Sequence, residues 1–217
     1  MSSRDDTSSL PSRPQRRRLP VEERTPQILD AALEEFAARG YAGARMAEVA
    51  RRAGIAKGLI YHYFPSKTEL FQATVRACTR PTFEAAERSF AAHPGSAREV
   101  LRTLVDLGYD KAGNDPRDRT LFRLLITEAA NVPELAAFYR EEVLSRSLGI
   151  VRRLLAEGAA SGEFRPDLPD APGYAEVVLA PVLMLPVWQM MLGEQDAPAP
   201  EAMRAAHHAM LMAALSR

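Results

Sequence analysis

The sequence predicts an all-α protein, with a small N-terminal three-helix bundle built on a helix-turn-helix and a larger helical domain behind it. Apolar residues recur at three-to-four-residue spacing along most of the chain, the period of one helix face. Glycine and proline clusters interrupt that pattern at helix-length intervals, at Gly40, Gly54, Pro65, Pro81 and around residues 93–95, 113–116, 132–133, 158–170 and 196–200. No segment alternates apolar and polar residues as a half-buried strand does. With 217 residues, 47% of them hydrophobic and 26% charged, the chain has material for one or two cores without metals or disulfides.

Residues 1–20 are rich in Ser, Pro and Arg and carry no apolar period, which predicts a flexible arm. Its cluster of Arg13, Arg16, Arg17 and Arg18 is either a solvated tail or a source of phosphate and minor-groove contacts. From Glu22 to Arg39, Ile28, Leu29, Ala32, Leu33, Phe36 and Ala37 fall on one face, and Gly40 supplies the stop. A short second helix is expected from Met46 to Ala53, with Met46, Val49 and Ala50 inward and Gly54 at its end. A third follows from Lys57 to Tyr63. Ser66 then reads as the N-cap of a fourth, with Glu69 as its capping-box partner and Leu70, Phe71, Thr74 and Val75 on the buried face.

The second and third helices carry the most specific local signal. Crossing two short helices at a tight turn needs a small residue at the crossing, a glycine in the turn and an apolar residue that locks the second helix. Ala50, Gly54 and Ile60 stand at those places. Charge agrees with a nucleic-acid role even though 28 Lys and Arg balance 28 Asp and Glu overall. Residues 1–75 hold 12 basic against nine acidic side chains, and residues 44–67 hold Arg45, Arg51, Arg52, Lys57 and Lys67 against Glu48 alone. Arg51 and Arg52 read as a solvated helix face rather than as base readers.

Five segments in order, Ile28-Leu-Asp-Ala-Ala, Phe36 to Tyr41, Val49 to Ile55, Lys57-Gly58 and Tyr61-His-Tyr-Phe-Pro-Ser-Lys67, resemble the TetR family of transcriptional regulators. That resemblance covers residues 22–75. It implies a homodimer that sets one recognition helix per subunit in successive major grooves of palindromic operator DNA, and a C-terminal domain that dimerises and binds a small-molecule inducer. It also implies DNA-contacting roles for Lys57 and Gly58 at the start of the recognition helix, for Tyr61, His62 and Lys67 on phosphates, and for Arg45 on phosphate or base. Leu59 and Tyr63 are candidates for thymine methyls, with Tyr63 equally placed to be core. Two departures stand out: Ala44 and Ala56 occupy positions where a Ser or Thr cap is usual, and Leu59 stands where Thr is common.

These readings divide the chain into an arm (1–20), a helix-turn-helix domain (21–75) and a helical effector-binding and dimerisation domain (76–217). Residues 121–135 are similar to a segment of multidrug-efflux regulators. Tyr109, Phe122, Phe138, Met184 and Trp188 are expected to line a pocket for an apolar or amphipathic effector, with Glu128 facing a cationic ligand or an arginine. Residues 174–193 and 201–215 are apolar on more than one face, which predicts a four-helix dimer interface. The run from Val177 to Trp188 is too short for a membrane span of about 20 residues. An enzyme is not expected, nor a cofactor or metal: Cys78 has no partner motif, and the adjacent His207 and His208 cannot share a helix face. The single cysteine and an N-terminus without an apolar signal segment predict a cytoplasmic protein. Repression and activation use the same reading head, and a helical interaction module that binds no DNA is the rival reading.

Overall fold

The computed structural model describes residues 21–114 and 116–216, so the arginine-rich arm lies outside the described residues. Helix α1 (Val21–Gly43) forms where the apolar stripe falls, with Ile28, Ala32 and Phe36 essentially fully buried. Gly40 breaks its geometry at φ 67°, ψ 175°, and the chain winds on for three residues beyond the kink. A side chain is strained at that φ. Helices α2 (Met46–Arg52) and α3 (Ile60–Tyr63) follow, and the turn between them is built as the spacing predicts: Ala50 and Ile60 are fully buried and Gly54 sits at φ 67°. The third helix is shorter than expected, because residues 57–59 form a turn in which the Leu59 N–H donates to Ala56 O at 2.9 Å.

Helix α4 (Lys67–Ala92) opens on Ser66, whose Oγ accepts from the Glu69 N–H at 3.1 Å. It runs straight through Pro81, where the sequence predicts a break. Proline removes one backbone donor, but Cys78, Phe83 and Ala86 are buried on either side of it, and their packing outweighs the lost bond. Helices α5 (Ala97–Asn114), α6 (Pro116–Ala129) and α7 (Pro133–Tyr139) come next, and a π-helical turn, Arg140–Leu144, carries α7 directly into α8 (Ser145–Ser161). Helices α9 (Tyr174–Leu192) and α10 (Pro200–Leu215) complete the fold. No strand forms among the described residues beyond an isolated bridge between Phe164 and Ser216.

Gly158, read from sequence as part of a break, lies inside α8. Its missing side chain makes room for the fully buried Phe164 ring, which a Cβ at 158 would overlap. The residue after Phe164, Arg165, donates its N–H to Leu215 O at 2.9 Å and ties the end of α10 to this corner. Glu163 itself accepts the Ala97 and Arg98 N–H groups at 2.9 and 3.1 Å, capping α5 from a distant part of the chain.

Two apolar cores result. The first joins α1–α4 to Leu121, Leu124 and Leu125 of α6 and to Leu135 and Phe138 of α7. The second gathers α5, α8, α9 and α10 around Leu101, Tyr109, Leu154, Phe164 and Leu185. Each fully buried Leu or Phe contributes about 1.5–3 kcal/mol relative to exposure, so the α6 and α7 residues are substantial parts of the first core.

Helix α9 resolves the apolar excess seen in the sequence. It is 19 residues long with a mean hydropathy of 1.7, long and apolar enough on composition alone to cross a membrane. Its surface divides into stripes instead: Ala175, Val178 and Leu185 enter the second core, Leu179, Leu183 and Pro186 line a cavity, and Val177, Met184, Trp188 and Met191 remain exposed.

Candidate functional site

The helix-turn-helix leaves several of its polar side chains in solvent. Arg45, Lys57, Leu59, Tyr61 and His62 are exposed, and among the described residues none of them makes a side-chain hydrogen bond or ion pair within the chain. Gly58 has open space where a Cβ would stand, with no heavy atom within 4 Å. Tyr63 is only half-buried and packs against the first core. The neighbouring arginines differ: Arg51 donates to Glu48 at 2.9 Å, and Arg52 donates to the fully buried Glu35 at 3.2 Å. Hydrogen bonding to Arg51 holds the Glu48 carboxyl below its usual range. Arg52 thus ties α2 to α1, while Arg51 pairs within α2; Glu35, which sequence reasoning missed, is the buried counter-charge in a helix otherwise read for its apolar stripe.

Both caps differ from expectation, that of α2 falling one residue after Ala44 and that of α3, Leu59, three residues after Ala56. Arg45, in extended conformation, is the N-cap of α2, and Ala44 is buried; neither α2 nor α3 has a side-chain cap. Lys67 sits beneath this corner. Its Nζ donates to Tyr41 O at 2.7 Å, to Ala42 O at 3.0 Å and to Ala44 O at 3.4 Å, and lies 4.7 Å from the centre of the Tyr41 ring. All three ammonium donors are thus committed to the carbonyls after the Gly40 kink, a placement that the expected phosphate contact did not foresee.

Helix α6 reaches the same corner. Glu128, expected to face a cationic ligand or an arginine, meets a backbone amide instead: its Oε1 accepts the Tyr41 N–H at 3.2 Å, and a Cβ on Gly40 would stand 2.5 Å from that oxygen. At the other end of α6, Arg117 is paired with Asp30 of α1. The helix is therefore fastened to the reading head at both ends.

The other face of α6 lines a cavity of about 200 Å³ between α4, α5, α6, the α7–α8 junction and α9. Its walls are mainly apolar, with Phe83, Phe122, Leu125, Val143 and Leu183, and the half-buried Tyr139 adds a hydroxyl that burial keeps protonated well above the usual tyrosine range. Lys111 and Asp118 meet at 2.6 Å at one side. Of the six residues expected at a ligand site, Phe122 lines this cavity. Tyr109 is buried in the second core with its ring edge against His207, and Phe138 lies in the first core under Arg76. Met184 and Trp188 face outward on α9 beside Val177 (63% exposed) and Met191 (70% exposed). Helical period alone puts all of them on apolar faces and does not say which face meets the cavity. Among the described residues no cluster of His, Cys, Asp and Glu is grouped as a metal site requires.

Residues 28–74 match the family model of bacterial regulatory proteins, tetR family, and residues 91–209 match that of the tetracyclin repressor-like C-terminal domain. The chain belongs to the TetR family. This TetR-family chain is 38% identical over 87 residues to the HTH-type transcriptional regulator BetI of Paraburkholderia phytofirmans, an alignment that covers 40% of the chain and 45% of that relative. Against BetI of Escherichia coli (strain K12 / DH10B) the identity is 33% over 144 residues, 66% of the chain and 69% of the relative. The first alignment spans under half the relative's length, the second about two thirds. Among solved structures, a transcriptional regulator from Pseudomonas aeruginosa PAO1 has the same fold at a TM-score of 0.74 and 19% identity, covering 90% of this chain and 93% of that one. One from Saccharomonospora viridis in complex with choline gives 0.71 at 21% identity, with 90% and 99% covered. The relatives named are transcriptional regulators, not enzymes.

Proposed function

We propose that this TetR-family chain is a ligand-responsive repressor that binds palindromic operator DNA as a homodimer and releases it when a small apolar or amphipathic molecule enters the cavity between α6 and α9. The observation that carries this reading is α6 itself, which forms one wall of the cavity and ends in a hydrogen bond to the backbone of the reading head. A ligand that shifts α6 changes the angle at which α2 and α3 are presented. DNA and ligand then favour different separations of the two heads, and each weakens the other's binding by the same factor.

On the DNA side, Arg45, Lys57, Tyr61 and His62 have no side-chain partner among the described residues, and Gly58 leaves room for close backbone approach. Lys67 contributes by fixing the corner rather than as an unoccupied cation. For the dimer, the outward stripe of α9 with Met210 of α10 supplies the apolar surface that a four-helix interface would cover. The fold relative that holds choline supports a small molecule as the effector.

Selection of bound duplexes from a random pool, at a stated salt concentration, tests the reading. A palindrome with half-sites about one turn apart is the expected product. Lys57→Ala with Tyr61→Ala should lower affinity for it by about 100-fold or more while dimer mass and melting temperature hold. A pool that stays random would overturn DNA binding.

A further inference from the structure

The cavity does not end at its apolar walls. A second, wider hollow of about 480 Å³ lies along the same helices, lined by Thr120, Arg123, Thr127, Gln189, Met190 and Glu194. Arg119 and Pro186 line both hollows, so the two adjoin as one trough between α6 and α9, almost wholly apolar at its inner end and more polar at the other, which is its mouth.

Charge along the trough is unequal. Inside, Lys111 and Asp118 pair at 2.6 Å and cancel. At the mouth, Arg119 donates to Gly113 O at 3.1 Å and meets Glu194 at 3.1 Å. Glu194 is 69% exposed, so the pair is solvent-screened and easily exchanged. Arg123 is exposed and makes no ion pair among the described residues. The lining therefore carries one positive charge in excess, located where the apolar walls stop. Gln189 adds an amide whose oxygen is buried without a hydrogen-bond partner among the described residues, and a half-turn of that amide offers two N–H donors in its place.

We infer that the trough takes a singly charged anionic amphipath, its apolar body among Phe83, Phe122 and Leu183 and its carboxylate between Arg119 and Arg123. This rests on the reading of the cavity as the effector site. A guanidinium pair matches a carboxylate's two oxygens and loses only the exposed Glu194 in exchange. A cationic ligand fits worse. Both carboxylates in the trough are already held by a base, and one face of the Phe83 ring is covered by the Arg146 guanidinium, 4.2 Å from the ring centre.

Three probes with the same ten-carbon chain separate the possibilities: decanoate, decanol and decyltrimethylammonium, titrated calorimetrically into the full chain below their micellar concentrations. Decanoate should bind about tenfold or more tighter than the other two, an advantage that shrinks with added salt. Arg123→Gln should bring decanoate down to the affinity of decanol and leave decanol unchanged. Equal or tighter binding of decanol or the ammonium, or a preference that survives Arg123→Gln, overturns the inference and leaves the cavity as effector site intact. If none of the three binds, the effector reading of the cavity falls, and the inference with it.

Discussion

The reading head and the effector domain treat their charged side chains in opposite ways. Around α2 and α3, Arg45, Lys57, Tyr61 and His62 have no side-chain partner among the described residues, whereas around the cavity Lys111 pairs with Asp118 and Arg119 with Glu194. The same contrast holds between adjacent arginines: Arg51 and Arg52 are spoken for by Glu48 and Glu35, and Arg45 is not. A surface built to meet a polyanion keeps its cations unpaired, because every internal partner must be given up before a phosphate is gained. Around the cavity the charges are tied down, among the described residues, save for Arg123, an arrangement that keeps the walls in shape and leaves one cation open.

Two glycines sharpen the comparison most strongly. Gly58→Ala meets open space and should leave stability unchanged while lowering operator affinity about tenfold to a hundredfold, as gel shifts would register. Gly158→Ala forces the Phe164 ring out of its place and should lower stability by about 1–3 kcal/mol in denaturant melts, with DNA affinity of the folded protein kept. If Gly58→Ala destabilises and binds DNA normally, the division between the two regions is misdrawn.

The next effect belongs to the joint between them. Glu128→Ala leaves the partly buried Tyr41 N–H without its acceptor, a loss of about 1–3 kcal/mol in stability. Glu128→Gln keeps an acceptor oxygen and should recover most of it. If α6 is the transmitting element, the alanine variant should also bind ligand with normal affinity yet need more of it to release DNA; an unchanged release curve would assign Glu128 to stability alone.

A smaller effect is set by pH. Burial, with His208 beside it, holds the His207 imidazole below the usual histidine range. Its folded value lies below the unfolded one, so as pH falls the unfolded chain takes up the proton first. Stability present above about pH 6.5 is lost progressively below it and levels off once the folded histidine also protonates. The carboxyls of Glu48, Glu142 and Asp167, all held low by arginines, titrate below this window. Denaturant midpoints between pH 8 and pH 5.5 should therefore slope for the parent chain and flatten for His207→Phe. Smallest of all, Glu48→Gln frees Arg51 at the surface and should leave the denaturant midpoint almost unchanged, because an exposed pair is screened by solvent.

How much of this was legible in the sequence follows from how local each feature is. Ala50, Gly54 and Ile60 act within eleven residues, so their spacing alone announces the turn; Ser66 caps an amide three residues on and is equally readable. The α2 cap falls at Arg45 rather than Ala44, because extended and helical conformations meet within a single residue there, and the α3 cap falls at Leu59 rather than Ala56, because a hydrogen-bonded turn precedes that helix. Pro81 was misread because a rule about isolated helices cannot register the packing that carries α4 through it. The cavity is less legible still. Its walls come from six helices and the π-helical turn, and Phe122 and Phe138, both aromatic on apolar faces, differ only in which neighbour α6 and α7 turn toward. Glu128 was singled out correctly as an unusual carboxylate in an apolar stretch, but its partner is a backbone amide 87 residues earlier, which no local pattern reveals.

The first core bears on protein engineering. Because Leu121, Leu124, Leu125 and Leu135 pack among α1–α4, the structural seam does not coincide with any single cut in the chain. A chimera that grafts residues 21–75 onto another regulator's sensor would import a head whose underside expects those leucines and a glutamate beneath Tyr41. Hybrids that transplant these five positions along with the head should fold and answer their new ligand, and hybrids cut cleanly at residue 75 should read DNA without listening.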